Sequence, residues 1–159
     1  MQIRILSVGK VKEKYLKQGI QEYAKRLGAY TKLEMVEVKD EATKENASDE
    51  EIRQVLEKEG QRLLAHIRLE DYVFVLAIKG DLVSSEELAS EIERCMTYGR
   101  SSLTFVIGGS LGTSQAINQR ADRLLSFGKM TLPHQLMRLV LTEQIYRSFR
   151  IIHNEPYHK

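Results

Sequence analysis

Among 159 residues there are one cysteine, two prolines, no tryptophan, and no apolar run near the roughly 18 residues a membrane span requires. A single cysteine excludes an internal disulfide framework and fits a reducing cytoplasmic setting. Cys95 falls at helical spacing from Leu88 and Ile92, which assigns it to a packed face rather than to reactive chemistry. The N-terminus, MQIRILSVGKVKEK, shows a strand-like run where a secretory signal needs a longer apolar core and a small-residue cleavage site. No group of His, Cys, Asp and Glu has metal-ligand spacing, so the chemistry expected is metal-free.

What remains is an ordinary globular composition, 42% apolar and 29% charged, and no repeat, low-complexity tract or linker divides it. One domain over residues 1–159 is expected. The net charge of +2 decides little, but it is unevenly spread. Residues 100–159 hold eight Lys/Arg against three Asp/Glu, a net +5 that leaves −3 on the first 99. A basic C-terminal part suits a polyanionic partner, and an unevenly charged solvated surface has the same balance.

Apolar periodicity alternates between 2 and 3.6 residues along the chain. Residues 2–8 and 32–38 alternate as strands, and Leu16, Ile20, Ala24 and Leu27 mark a helix between them. The charged segment Lys39 to Ala47 reads as a connector. Ser48 with Glu51, and Ser84 with Glu87, have capping-box spacing ahead of two further helices. The continuous apolar run 72–77 predicts a strand buried on both faces, broken by Lys79-Gly80-Asp81. Strands at 103–107 and 123–127 flank a short helix near 114–121. The order is that of an α/β protein with a largely parallel sheet flanked by helices.

The last helix, starting at Pro133 and running to about Arg150, carries apolar residues around most of its circumference. Such a helix needs cover on two sides, and a second copy of the chain is the simplest second cover, so a homodimer is expected. Glu143 and Arg147 are spaced to pair on its polar face.

Two strands empty into glycine loops, Gly108-Gly109-Ser110-Leu111-Gly112 and Gly128-Lys129-Met130-Thr131-Leu132. The first lacks the lysine of a Walker loop and the spacing of a dinucleotide fingerprint. It does match GxSxG, with Asp122 and then His134, His153 or His158 following in hydrolase order, although no oxyanion-loop motif precedes it. The second loop can offer backbone donors and acceptors to a purine edge, beside Phe127, Met130 and Leu132, with Thr131 and Pro133 capping the helix that follows. Spacing alone leaves open a small serine hydrolase at Ser110, a non-catalytic RNA- or nucleotide-binding module, and a cofactor-dependent enzyme.

The strings VIGGSLG, SFGKMTLPHQLMRLVLTEQIYR and the terminal NEPYHK together resemble the RlmH family, bacterial 23S rRNA pseudouridine-N3 methyltransferases of the SPOUT class. The resemblance runs over nearly the whole chain. It implies an S-adenosylmethionine (SAM) enzyme acting as a homodimer on 23S rRNA within an assembled ribosome. It also implies a SPOUT-type fold with a C-terminal trefoil knot, which the general rule against knots would have excluded. Position by position, the resemblance places SAM against Leu76, against Gly108, and along Phe127, Gly128, Lys129, Met130, Thr131 and Leu132. It makes Ser110 a loop residue and the tail Asn154 to His158 the substrate-side motif, with Glu155 where the family is expected to carry histidine. On that reading His158 is the candidate base and Tyr157 positions or stacks on the target. Arg138, Arg147 and Arg150 are candidates for RNA phosphates.

Overall fold

Ile3 and Ile5 alternate with Leu6 and Val8, so the first strand offers apolar side chains to both faces and has to lie inside a sheet covered on both sides. The computed structural model, which describes residues 1–159, places it there. The elements in chain order are β1 (Gln2–Val8), α1 (Lys14–Leu27), β2 (Lys32–Val38), α2 (Asp49–Leu64), β3 (Tyr72–Leu82), α3 (Ser85–Thr97), β4 (Ser102–Ile107), α4 (Gln115–Arg120), β5 (Arg123–Ser126) and α5 (His134–Ile152). The sheet has the order β2-β1-β4-β3-β5 and every pair is parallel.

Period-two alternation sorts the core into two layers. Ile3, Ile5, Phe74, Leu103 and Phe105 face α1, α3 and α5, while Leu6, Val73, Val75 and Val106 face α2 and α4. Phe74 and Phe105 stack at 4.6 Å between ring centroids across neighbouring strands. The β3-to-β4 and β4-to-β5 connections therefore run in opposite directions on opposite faces. Such a reversal opens a crevice beyond the carboxyl ends of the strands.

Two caps differ in completeness. Ser48 and Glu51 exchange both bonds of a capping box, each at 3.2 Å. Ser84 accepts from the Glu87 N–H at 3.0 Å, but Glu87 does not reach back, so the second expected box is a single cap. At α5, Pro133 is the N-cap and Thr131 supplies no capping bond, contrary to the sequence reading. The connector after β2 is not free along its length: Arg62 bonds the Lys39 carbonyl at 2.8 Å and the Glu41 carboxylate, and Glu59 accepts from the Glu41 N–H at 2.9 Å.

The apolar circumference of α5 is covered largely within one protomer. Its Leu141, Ile145, Tyr146 and Phe149 enter the sheet-facing core, while Leu136 and Leu139 pack on Val11, Leu16 and Ile20 of the α1 side. Gly19 admits this approach, since a Cβ there would lie 2.9 Å from Leu139 Cδ1. The all-round apolar pattern thus has a cause inside the chain, and a second copy is not required to explain it.

β3 is longer than the expected 72–77. Leu76 and Asp81 both register with Leu125, so residues 77–80 bulge out and the strand resumes at Asp81 and Leu82. At the bulge Gly80 lies against the backbone of β5: a Cβ would fall 2.7 Å from Leu124 C and 2.9 Å from Leu125 C. Backbone cannot rotate away as a side chain can. Gly80→Ala is therefore expected to destabilise the protein by about 1–3 kcal/mol, read as a lower urea midpoint at unchanged m.

Candidate active site

Because all strands are parallel, the bulge of β3 and the turns after β4 and β5 lie at the same edge of the sheet. They enclose a cleft of about 690 Å³ lined by residues 76–79, 107–113 and 126–128, with Met130, Thr131, Leu132, His134 and Met137 from the approach to α5. That volume lies in the range of small-molecule sites. The opposite edge is closed by structural clamps. Arg4, 3% exposed, bonds the His66 carbonyl at 2.6 Å, and Asp122 accepts from the Val73 N–H at 2.8 Å.

Seven of the eight sequence-assigned cofactor residues meet in this cleft: Leu76, Gly108, Phe127, Gly128, Met130, Thr131 and Leu132. Lys129 is exposed and stands outside the lining. Gly108 is enclosed by its own loop, where a Cβ would overlap the Gly112 carbonyl and lie 2.8 Å from Thr113 Cγ2. Gly112 closes that loop with an N–H bond to the Gly109 carbonyl at 3.0 Å, at φ 97°. Gly128, at φ 138°, donates its N–H to Ser126 Oγ at 3.2 Å. The cleft wall thus combines two glycine-bearing loops with nine apolar residues, among them Leu76, Ile107, Phe127, Leu132 and Met137.

The hydrolase geometry is not formed. Ser110 is exposed and has no hydrogen bond to a histidine, and Asp122 is committed to the Val73 N–H and to Arg120 at 3.4 Å. Asn154 is the one non-glycine residue with positive φ, so Ser110 lacks the strained turn of a nucleophile elbow. His134 does line the cleft, and burial together with Arg138 holds its imidazole below the ordinary value.

The tail folds back on α3 and α5 of its own protomer, and neither Tyr157 nor His158 lines the cleft. Tyr157 donates to Glu143 Oε2 at 2.7 Å and stacks edge-on to Tyr146. Burial first, and Glu143 second, push its phenol above the ordinary tyrosine value. His158 Nδ1 lies 3.1 Å from Arg147 Nη1, and Nε2 lies 2.5 Å from Glu86 Oε1. A guanidinium only donates, so Nδ1 is the acceptor and Nε2 carries the proton shared with Glu86. Both ring nitrogens are thus occupied, and in this arrangement His158 has no free lone pair with which to act as a base.

The three arginines assigned to RNA also have other partners. Arg138 is 5% exposed and bonds Glu37 at 2.5 Å, the Val8 carbonyl at 2.8 Å and the Gly9 carbonyl at 2.6 Å. It is a buried tie between α5 and the end of β1, not a phosphate ligand. Arg147 pairs with Glu143 at 2.9 Å and covers the Tyr157 ring at 4.6 Å. Arg150 bonds Glu155 at 2.6 Å, Tyr30 at 3.0 Å and the Pro156 carbonyl at 2.9 Å. Glu155, which departs from the expected tail motif, thus anchors the tail.

Sequence reading missed Ile78, Lys79, Asn118 and Met137 in the lining, because nothing in their spacing marks them. It also missed Glu59, 5% exposed beneath the glycine loop, where a Cβ on Gly109 would come 3.1 Å from Glu59 Oε1. Desolvation raises that carboxyl above its ordinary value. A signal was present, since Glu59 sits four residues from both Val55 and Leu63 on an apolar helix face.

The fold and cleft define an α/β protein with a candidate small-molecule site, built on glycine-bearing loops, at the carboxyl ends of a parallel sheet. A family model described as "Predicted SPOUT methyltransferase" matches residues 1–158, and the chain belongs to the SPOUT methyltransferase family. It is 60% identical over 159 residues, the whole of both chains, to the ribosomal RNA large subunit methyltransferase H of Shouchella clausii (strain KSM-K16). The protein of the same name from Enterococcus faecalis (strain ATCC 700802 / V583) is likewise 60% identical over the full length of both. Among solved structures, a probable methylase family protein from Haemophilus influenzae Rd KW20 has TM-score 0.52 at 11% identity, over 99% of this chain and 70% of that one. That last likeness is one of fold.

Two outcomes test the geometry. An active-site serine probe should leave Ser110 unlabelled. Of the seven tyrosines, Tyr157 and Tyr72, the latter pushed up to about 12 by burial, should ionise last in a spectrophotometric titration. A phenol whose folded value is raised gives stability that is complete below about pH 10 and is lost as pH rises through the folded value. Unfolding midpoints should accordingly fall from pH 10 towards 12, less steeply in Tyr157→Phe.

Proposed function

We propose that this protein methylates N3 of a pseudouridine in 23S rRNA of the large ribosomal subunit, using S-adenosylmethionine and acting as a homodimer. The observation that carries the reading is the convergence of the β3 bulge and the loops after β4 and β5 on one cleft, in a chain of the SPOUT methyltransferase family. The substrate class follows from the names of full-length relatives at 60% identity, and the N3 position from the resemblance of the two C-terminal motifs.

The residues present suit the cofactor. Gly108, forced to be glycine by its own loop, keeps that loop tight at the cleft, and Met130 to Leu132 would offer N–H and carbonyl groups to a purine edge. Leu76, Ile107, Phe127 and Met137 would lie against its apolar faces. When bound, S-adenosylmethionine supplies a methyl group activated by its sulfonium. The protein's share is to hold the pseudouridine in line with it and to take the N3 proton, since the imide is mostly protonated at neutral pH.

His158 takes that proton once Nδ1 is released by Arg147, and an RNA phosphate that draws Arg147 away makes the release depend on substrate. Tyr157 and His158 reach the cleft of the partner protomer, which makes the site composite. The knotted C-terminal topology belongs to the same reading, supported by membership of the SPOUT methyltransferase family. So does work in the cytoplasm, where the substrate is; no helix is long and apolar enough to cross a membrane.

Transfer of labelled methyl from SAM to ribosomes lacking the modification tests the proposal, and no transfer by the wild type overturns it. Truncation after Ile152 should keep SAM affinity and abolish transfer. Phe127→Ala should weaken SAM binding by about tenfold, the loss of roughly 1–2 kcal/mol of apolar contact. Full activity in His158→Ala would remove the base from the mechanism.

A further inference from the structure

With Arg138 buried and Arg147 and Arg150 engaged by the tail, the basic residues of 100–159 leave Lys129 as a single free cation beside the cleft rather than a cationic face. Such a face exists elsewhere. The segment from Lys10 to Lys17, KVKEKYLK, places Lys10, Lys12, Lys14 and Lys17 in solvent with one acid, Glu13, among them. None of the four lysines forms an ion pair, and Tyr15 between them is 66% exposed. Four cations in eight residues, on a protein whose net charge is +2, make this a strong local concentration of positive charge.

The placement of the segment relative to the cleft is fixed by three contacts. Arg138 accepts no substitute partner here, because its guanidinium binds the Val8 and Gly9 carbonyls immediately before Lys10. The Lys12 N–H donates to Gln135 Oε1 at 3.0 Å, one residue beyond the cleft-lining His134. Val11 is buried against Leu136 and Leu139 of α5. The lysines thus stand on the outer side of the loop that forms one cleft wall. Lys10 and Lys17 also rim a depression of about 380 Å³ with Met35 and Ile20, in which Arg138 keeps its Nε buried and without a partner. The lysines do not serve the helix: Lys14 and Lys17 lie in the first turn of α1, at its positive dipole end, where a cation costs a few tenths of a kcal/mol.

We infer that the Lys10–Lys17 segment is the docking surface for the RNA backbone next to the methylated nucleotide, the lysines neutralising phosphates and Tyr15 stacking on an unpaired base. This rests on the methyltransferase reading above and names the surface through which that site meets its substrate. Flexible lysines on a rigidly tied loop are suited to phosphates, whose contacts position a nucleic acid without reading its sequence. An exposed tyrosine among them supplies the stacking that single-stranded RNA uses.

The test compares wild type with a variant carrying Lys→Gln at 10, 12, 14 and 17, and with Tyr15→Ala. Each is assayed for SAM affinity, for oligomeric state by sedimentation, and for methyl transfer to ribosomes lacking the modification at several salt concentrations. The expected result is unchanged SAM affinity and sedimentation, KM for ribosomes raised about tenfold or more, and kcat at saturation within about threefold. The log–log dependence of 1/KM on salt should flatten by about 3 to 4, since each neutralised phosphate contributes about 0.7–0.9. Tyr15→Ala should raise KM with the salt slope kept. An unchanged KM and slope in the lysine variant overturns the inference. So does a fall in SAM affinity, which would make the segment part of the cofactor site, or a shift to monomer, which would make it an interface between copies. Absence of transfer by the wild type overturns the methyltransferase reading instead, and pelleting of wild type and variant with the same ribosomes then tests the surface alone.

Discussion

The guanidinium of Arg138 holds the working end of this protein together. It is buried, which costs several kcal/mol for an isolated charge, and the cost is offset by Glu37 and by two backbone carbonyls at the end of β1. These bonds fix the first turns of α5 to the carboxyl ends of β1 and β2. Everything that approaches the cleft from that side depends on the tie: the loop leading into α5, His134, and the lysine-bearing segment after Gly9. A lysine could not replace it, because the planar fork is what reaches Glu37 and two carbonyls at once.

The cleft itself is shaped by places where a side chain has no room. Gly108 lies inside the turn closed by Gly112, Gly109 lies over Glu59, and Gly80 lies on the backbone of β5. Backbone so crowded cannot shift to admit a Cβ. The arrangement is a preformed wall rather than a flexible loop. Glu59 below it carries an acid whose carboxyl is raised by burial, so the support of the glycine loop is a polar group held in a low-dielectric setting.

The tail is a second organised region, built from aromatic packing and alternating charge. Tyr30 stacks on Phe149 at 5.5 Å, Arg150 joins Tyr30 to Glu155, and Glu143 receives both Arg147 and Tyr157. In one protomer these groups satisfy one another. That is why the candidate catalytic side chains are occupied here, and why the functional reading needs substrate or a partner protomer to redirect them.

Sequence by itself determined the order of elements, because apolar periodicity of 2 or 3.6 residues reports local burial and needs no distant partner. It marked both glycine loops and seven of the eight lining residues assigned to the cofactor, since strand ends followed by glycine are local features. It misjudged Arg138, whose carbonyl partner Val8 lies 130 residues away, and it did not foresee that Tyr30 and Glu155 engage Arg150, whereas the Glu143–Arg147 pair, four residues apart, was legible in the spacing. Nor did it foresee that α1 and α3 cover much of α5 from within the chain, and the homodimer stands as a proposal. Tertiary structure alone decided which cations remain in solvent, where the tail lies, and how the β3 bulge lies against β5. Burial and pairing are properties of positions brought together by folding, and no spacing along the chain encodes them.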